Sequence, residues 1–558
     1  LFASAATLAP FHARADADDK VNRLIQLLIE KKILSKGQAH ALLQETNAPK
    51  PPPHAAVAIA PEQAPPAKPG EIRVTYVPDF IRKQIADQVR AQVMTEAQTE
   101  GWAAPDALPE WTKRFKLYGD VRVRYERDSF GQGNSNQFIN FANINNGSAF
   151  DANNYGAGSL TQTAPPFLNT TEDRDRPRVR ARLGVLADID EGWVADFRFT
   201  TGADNGPVTP NQTMGSPGEF SKYNVFIDRA SIAYTPAPGV TLWAGREANP
   251  FFTTDLIFYN ELGLDGIAAK INEPVTSGLR GFVSGGVFPV FNTAFDFSTN
   301  SDQKYGSANA YMLAIQGGFD WQVRPNLQAK LGVGFFDFNG VQGAVSQPCI
   351  EQTGGLFTCS TDNTRFPFQQ FGNTVYAIRN IINPPGTANP VDPQYYGLAS
   401  RFAVLEVHPR VEIDNFLPVQ VAISGEYLKN LAYDRDAILN HGPPNLIGPQ
   451  NNIGNNGQYD GGATAYMVRA EVGQLEVKKR WDWNVMLAYK YLQTDATLDS
   501  INDADFHLGG TNAKGYILTG SLGVARNTFV SLRWFSAQVV SGPRDNNDVV
   551  QLDLQSSF

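Results

Sequence analysis

No stretch of the 558 residues beyond the N-terminus approaches the roughly 20 consecutive apolar residues of a membrane-crossing helix, so spanning helices are excluded. Charge is scarce as well. Asp, Glu, Lys and Arg make up 18% of the chain, below the roughly 25% of soluble domains. Cysteine is almost absent: Cys349 and Cys359 stand alone, close together in a polar region. In an exported chain such a pair favours a local disulfide over free thiols. The six histidines are scattered without metal-ligand spacing, and no serine sits in a nucleophile-elbow sequence. Nothing therefore points to an enzyme, a resident metal or a cofactor. The net charge of -9 is spread along the chain, with no basic nucleic-acid footprint.

Glycine (49) and aromatics (11%) are plentiful, and the mean hydropathy is only -0.28. That is too polar for a helical membrane protein and too turn-rich for a helical soluble one. At this length the composition favours one very large closed architecture over several domains. From Phe115 onward, alternating segments of about ten residues recur, the length at which a tilted strand crosses a bilayer. Sixteen can be counted, from Phe115–Asp128 to Val549–Phe558, with Ala463–Val477 and Trp481–Leu492 among them. Short connections such as Pro236–Gly239 and Lys478–Arg480 alternate with long ones such as Ser129–Asp175 and Asn339–Arg401. An even strand number with one-sided long loops predicts an all-β membrane barrel of about 16 antiparallel transmembrane strands, its short turns in the periplasm. Trp193, Trp243, Trp321, Trp481 and Trp483 lie near the short turns, where an interfacial girdle belongs.

The N-terminal part is different. Residues 1–17 read as the end of a secretory signal, with Ala13-Arg14-Ala15 or Ala15-Asp16-Ala17 as the cleavage site. Residues 18–48 carry two short amphipathic helices, expected as a small periplasmic hairpin. Residues 49–70 hold eight prolines and form an extended linker. Residues 71–113 combine a short strand with a helix whose stripe, Ile81, Ile85, Val89 and Val93, suits an oligomeric seam or packing on the next domain. Residues 114–558 are the expected barrel.

Period-two alternation puts Arg176, Arg178, Arg180 and Arg182 on one face and Val179, Ala181 and Leu183 on the other. Facing lipid, each arginine would cost about 2–4 kcal/mol at mid-bilayer, so all four are expected to line the lumen. About 7 Å apart in water, they repel by only roughly 0.6 kcal/mol per adjacent pair. A wet lumen tolerates that; a dry core would not. Arg122 and Arg124 continue the basic wall on the first strand and Arg198 on the third, partly countered by acids such as Asp120, Glu126 and Asp196.

Within Val240–Ile271 two alternating runs flank a segment holding Phe251, Phe252, Leu256, Ile257, Phe258 and Tyr259. A surface loop is usually hydrophilic, so this one is expected to pack against protein and carry Glu247, Asp255 and Glu261 inward. The Asp/Asn clusters Asn451–Asp460 and Arg544–Asp548 could take a surface cation such as calcium, although solvated turns are the simpler reading.

The stretch Gly245, Asn249-Pro250-Phe251, Thr254-Asp255-Leu256, Asp265-Gly266 and Ala268-Ala269 resembles the bacterial "putative porin" family, as do Ile72–Pro78 and Leu108–Trp111 leading into Leu117–Arg122. Where that family has an acidic cluster, this chain reads Phe258-Tyr259-Asn260-Glu261. The ending VVQLDLQSSF resembles the signal read by the outer-membrane assembly machinery, with Phe558 as its specific part. Similarity to general trimeric porins implies a homotrimer in outer-membrane lipid and lipopolysaccharide, and makes Glu247–Gly263 an inward-folded third outer loop. The resulting expectation is a porin for passive diffusion of small hydrophilic solutes and ions, with no nucleic-acid partner. Two alternatives stand beside it: an anion-binding, substrate-selective channel, and a barrel that anchors the envelope by holding peptidoglycan through its N-terminal helices.

Overall fold

The computed structural model describes residues 89, 110–152, 164–203, 206–293, 305–350, 359–366, 368–383 and 392–558. The expected signal remnant, helical hairpin and Pro-rich linker, and nearly all of residues 71–113, lie outside the described residues. The barrel belongs to the second of the chain's two units, Gly101–Phe558.

A single 3-10 turn, Glu110–Arg114, leads into the first of sixteen long strands. They are β1 (Phe115–Phe130), β2 (Arg174–Asp190), β3 (Trp193–Thr201), β4 (Val225–Ala237), β5 (Val240–Ala248), β6 (Gly263–Thr276), β7 (Leu279–Phe291) and β8 (Ala310–Arg324). There follow β9 (Leu327–Asn339), β10 (Phe402–Phe416), β11 (Val419–Asn430), β12 (Thr464–Gly473), β13 (Trp483–Leu492), β14 (Ala513–Ala525), β15 (Thr528–Val539) and β16 (Asn546–Ser557). Each pairs antiparallel with its sequence neighbours, and β1 pairs with β16, so no edge is left open. A two-residue bridge, Gln212–Thr213, also joins the sheet: β3 ends opposite Arg182, and the connection after it folds back to pair with Arg178 and Val179 of β2. The bridge satisfies backbone groups that the shorter strand leaves unpaired.

Side chains alternate as the strand period requires. On β1, Val121, Val123 and Tyr125 are exposed outward while Asp120, Arg122, Arg124 and Glu126 are buried inward. On β16, Val550, Leu552 and Leu554 face out and Gln551 and Asp553 face in. Trp193, Trp321, Trp481 and Trp483 are exposed, as a girdle needs, but Trp243 is buried at 6% exposure and packs against Phe288. The expectation for Trp243 fails because closeness to a turn does not choose a face. Leu242 takes the outward position on β5, and period two sends Trp243 inward.

One short turn is longer than the alternation suggests. β12 stops at Gly473 (φ 127°) and β13 starts at Trp483, so residues 474–482 form the connection, with Trp481 at φ 74°. The outer connections carry their own small elements, an antiparallel pair between Val375–Ala377 and Tyr396–Leu398 and a parallel pair between Cys349–Ile350 and Ile381–Ile382. Cys349 and Cys359 are disulfide-bonded, with Cα atoms 5.7 Å apart.

At the closure of the barrel the Gly119 amide donates to the Phe558 carbonyl (3.1 Å), and the Phe558 amide donates to the Gly119 carbonyl (3.0 Å). The Phe558 ring lies over Gly119, where a Cβ would stand 2.7 Å from the ring's Cζ and 2.3 Å from the Arg182 carbonyl oxygen. Gly119→Val should therefore destabilise the folded barrel by about 1–3 kcal/mol, the usual overpacking range. The measurement is the urea midpoint of the heat-modifiable gel band; an unshifted midpoint would mean that β1 and Phe558 absorb the side chain.

Candidate functional site

The connection after β5 crosses the lumen. Phe251, Leu256, Ile257, Phe258, Tyr259 and Leu262 are buried, although every one belongs to a loop. Burying a side chain of this size contributes roughly 1.5–3 kcal/mol, enough to draw the segment off the surface. Phe251 and Phe258 each stand edge-on to Phe336 of β9, with centroids 5.1 Å apart in both pairs. Phe252 stacks on His408 of β10 at 4.0 Å, and its backbone amide donates to the side-chain Oε1 of Gln316 (2.7 Å). Thr254 bonds Glu426 of β11 through its hydroxyl and its amide.

The three candidate acids end in three different places. Glu247 is still on β5 and meets Ser231 (2.6 Å) and Arg229 (3.5 Å) of β4. Asp255 reaches the far wall, where Lys490 of β13 donates to its carbonyl oxygen (3.0 Å) and stands 3.9 Å from its carboxylate. Glu261 returns to the arginines: it contacts Arg180 and lies 3.7 Å from Arg122 and 3.6 Å from Arg182. Burial raises the Glu261 carboxyl, but Arg122, Arg180 and Arg182 outweigh it and hold it at about 2.

The arginines are drawn together along β1 and β2, with Arg122 opposite Arg180 and Arg124 opposite Arg178. They do not face open water. Arg124 is 1% exposed and Arg180 0%. What makes a covered ladder tolerable is that each guanidinium has a carboxylate: Arg124 holds Asp553 (2.7 Å) and Asp505 (3.1 Å), and Arg176 and Arg178 share Glu126. Arg180 and Arg182 share Asp120, and Arg198 of β3 pairs with Asp228 at 2.6 Å. Removing one partner of such a buried pair is costly, about 3–5 kcal/mol.

A second inward loop escapes the sequence reading. In the connection between β13 and β14, residues 493–512, Leu498, Asp499, Asn502, Asp503, Asp505 and Phe506 are all buried. Asp503 receives Lys490 (3.1 Å), Asp505 binds Arg124 and Arg533 (3.0 Å), and the Ile501 carbonyl accepts the Tyr259 amide (2.8 Å). The two loops thus touch inside the barrel. Against burial, Arg124 and Arg533 hold the Asp505 carboxyl well below the usual carboxylate range. Asp499 has no such partner; burial pushes it up to about 7, and Asp495 adds to the shift. Its sequence signal is the one that marks the earlier loop, apolar residues inside a connection: Leu498, Ile501 and Phe506.

Two cavities border the arginine wall. One, about 310 Å³, is lined by Arg174, Arg176, Arg178, Asp128 and Asp505; the other, about 270 Å³, by Asp228, Arg246 and Glu261; Thr209 belongs to both. Among the described residues no group of three or more His, Cys, Asp or Glu side chains could hold a metal ion. Asn452, from one of the candidate surface-cation turns, is buried and bonds the Gly372 carbonyl instead (2.9 Å).

Among solved structures the chain is similar to the outer membrane channel DcaP of Acinetobacter baumannii, at 10% identity and TM-score 0.35, over 80% of this chain and 97% of that one. It is similar also to Pseudomonas putida OprB (12%, TM-score 0.42, over 80% and 95%) and to the anion-selective porin from Comamonas acidovorans (12%, TM-score 0.34, over 80% and 99%). No curated protein matches the sequence. Residues 18–558 match the family described as "putative porin", and the chain belongs to that family of barrel channels.

Proposed function

We propose that the protein is a water-filled outer-membrane channel for passive diffusion of small hydrophilic solutes and ions, narrowed by Glu247–Gly263 as an inward-folded third outer loop. Residues 493–512 narrow it further. The observation that carries this reading is a charged inner face behind an apolar outer belt, with two loops seated across the lumen. The solute route follows the arginine wall through the two cavities that share Thr209. Asp505 and Glu261 are paired directly with the guanidinium groups, so the charge beside the route is largely matched within the wall. A second reading is substrate selectivity, with the wall binding anions; it is favoured by Arg176 and Arg178, whose buried Nε atoms have no hydrogen-bond partner among the described residues.

The N-terminal extension belongs in the periplasm, because β1 starts at the short-turn end. There it could reach peptidoglycan. Phe558, paired with Gly119, is the element offered to the assembly machinery, and the apolar belt meets outer-membrane lipid and lipopolysaccharide. Family resemblance makes the working unit a homotrimer, and a sedimentation mass of a single chain in mild detergent would sink that part.

Single-channel current in planar bilayers tests the main reading. A general pore gives large, ohmic steps; saturation by one class of anion supports the selective reading, and no conductance overturns both. Thr209→Trp should lower conductance about twofold or more by filling the shared cavity, and an unchanged value would put the route elsewhere.

The pH dependence has a definite sign. Asp499 is raised from 3.8 to about 7, so the seat of its loop is strongest below the unfolded pKa and is lost as pH rises through about 7. Glu261, lowered from 4.5 to about 2, contributes fully above about 4.5 and fails only as pH falls through about 2. Between pH 5 and 8 Asp499 acts together with Asp503 of the same loop, which burial raises to about 6. Proteolytic nicking of residues 493–512 should be greater at pH 8 than at pH 5 after correction for protease activity, and Asp499→Asn should reduce the difference. A wild-type profile already flat over this range would refute the assignment.

A further inference from the structure

The outer connections enclose a cavity unlike the charged wall beneath it. It has a volume of about 190 Å³, room for roughly six waters at about 30 Å³ each. Its walls combine amides, among them Gln137, Asn140 and Gln369, with the rings of Phe138, Phe141 and Phe371. Among the described residues no Arg, Lys or His lines it, and Asp499 is the one ionisable group. The cavity sits against the second inward loop, where the Gln370 amide donates to the Asp499 carbonyl oxygen (2.6 Å).

The Gln369 side chain is the informative one. Its Oε1 accepts from Asn145 (3.3 Å), while its Nε2 is buried with no hydrogen-bond partner among the described residues. A buried amide donor left unpaired is destabilising, and the Gln369 residue belongs to the cavity lining. Phe138 and Phe371 stand edge to face, with centroids 5.6 Å apart, so the apolar surface is built from flat rings held in place by each other.

We infer that this cavity is a binding site for an uncharged, ring-shaped, polyhydroxylated solute of monosaccharide size. The absence of cationic side chains disfavours the anions that the wall below would attract. Carboxamides donate and accept at once, as hydroxyls do, and the apolar C–H face of a pyranose fits against an aromatic ring. A linear polyol offers the hydroxyls without that face. The site lies among the outer connections, so such a solute would meet it before reaching the arginine wall.

The test reads binding rather than permeation, so it does not depend on the channel reading. Titration calorimetry is carried out on the folded full chain in a detergent without a sugar headgroup. The two ligands are a methyl hexopyranoside and a linear hexitol. The pyranoside should give a saturable heat, with the hexitol at least about tenfold weaker. Gln369→Leu and Gln137→Leu should each weaken pyranoside binding by about five- to tenfold, the effect of one lost hydrogen bond. Gln137 is exposed, so its variant decides the matter if Gln369→Leu does not fold. No saturable heat, equal heats for the two ligands, or an affinity indifferent to the substitutions would overturn the assignment.

Discussion

The inner face of β1 and β2 is arranged so that it cannot stand alone. Register sets Arg122 opposite Arg180 and Arg124 opposite Arg178, and like charges directly opposite destabilise a strand pair. Asp120, Glu126 and Asp128 from β1 and Asp553 from β16 answer part of this charge. Glu261 and Asp505 supply the remainder from the two inward loops. The loops are therefore the missing counter-charge of the wall as well as its covering.

Lys490 has the same role on the opposite side. As a buried cation on β13 it would be untenable alone, and it is met by Asp503 from one loop and by the Asp255 carbonyl from the other. Aromatic packing on Phe336 and the Phe252–His408 stack then fix the first loop against β9 and β10. Charge matching decides where the loops touch the wall, and apolar burial keeps them inside.

Two regimes of polarity follow one another along the barrel interior. Around the inward loops, guanidinium and carboxylate groups lie within a few ångströms of one another. Above them the cavity bounded by Phe138, Phe371 and Gln369 is amide-rich and almost free of charge. A solute entering from outside would be read first by shape and hydrogen bonding and only then by charge.

Strand number, closure and the inside or outside placement of most residues were legible in the sequence, because a lipid-facing wall imposes a two-residue period that few side chains can break. The inward loop after β5 was legible for a related reason: Phe251, Leu256, Ile257 and Phe258 cannot stay in water. What periodicity could not reveal is which cation meets which carboxylate, since Arg124 and Asp505, or Lys490 and Asp255, are hundreds of residues apart and meet only when the barrel closes. Nor could it place Trp243, whose face depends on the register of one strand rather than on its distance from a turn, or recognise residues 493–512 as a partner of the first loop. Local alternation determines a wall. The filling of that wall depends on contacts between loops and strands that no local pattern records, and tertiary structure alone decided it.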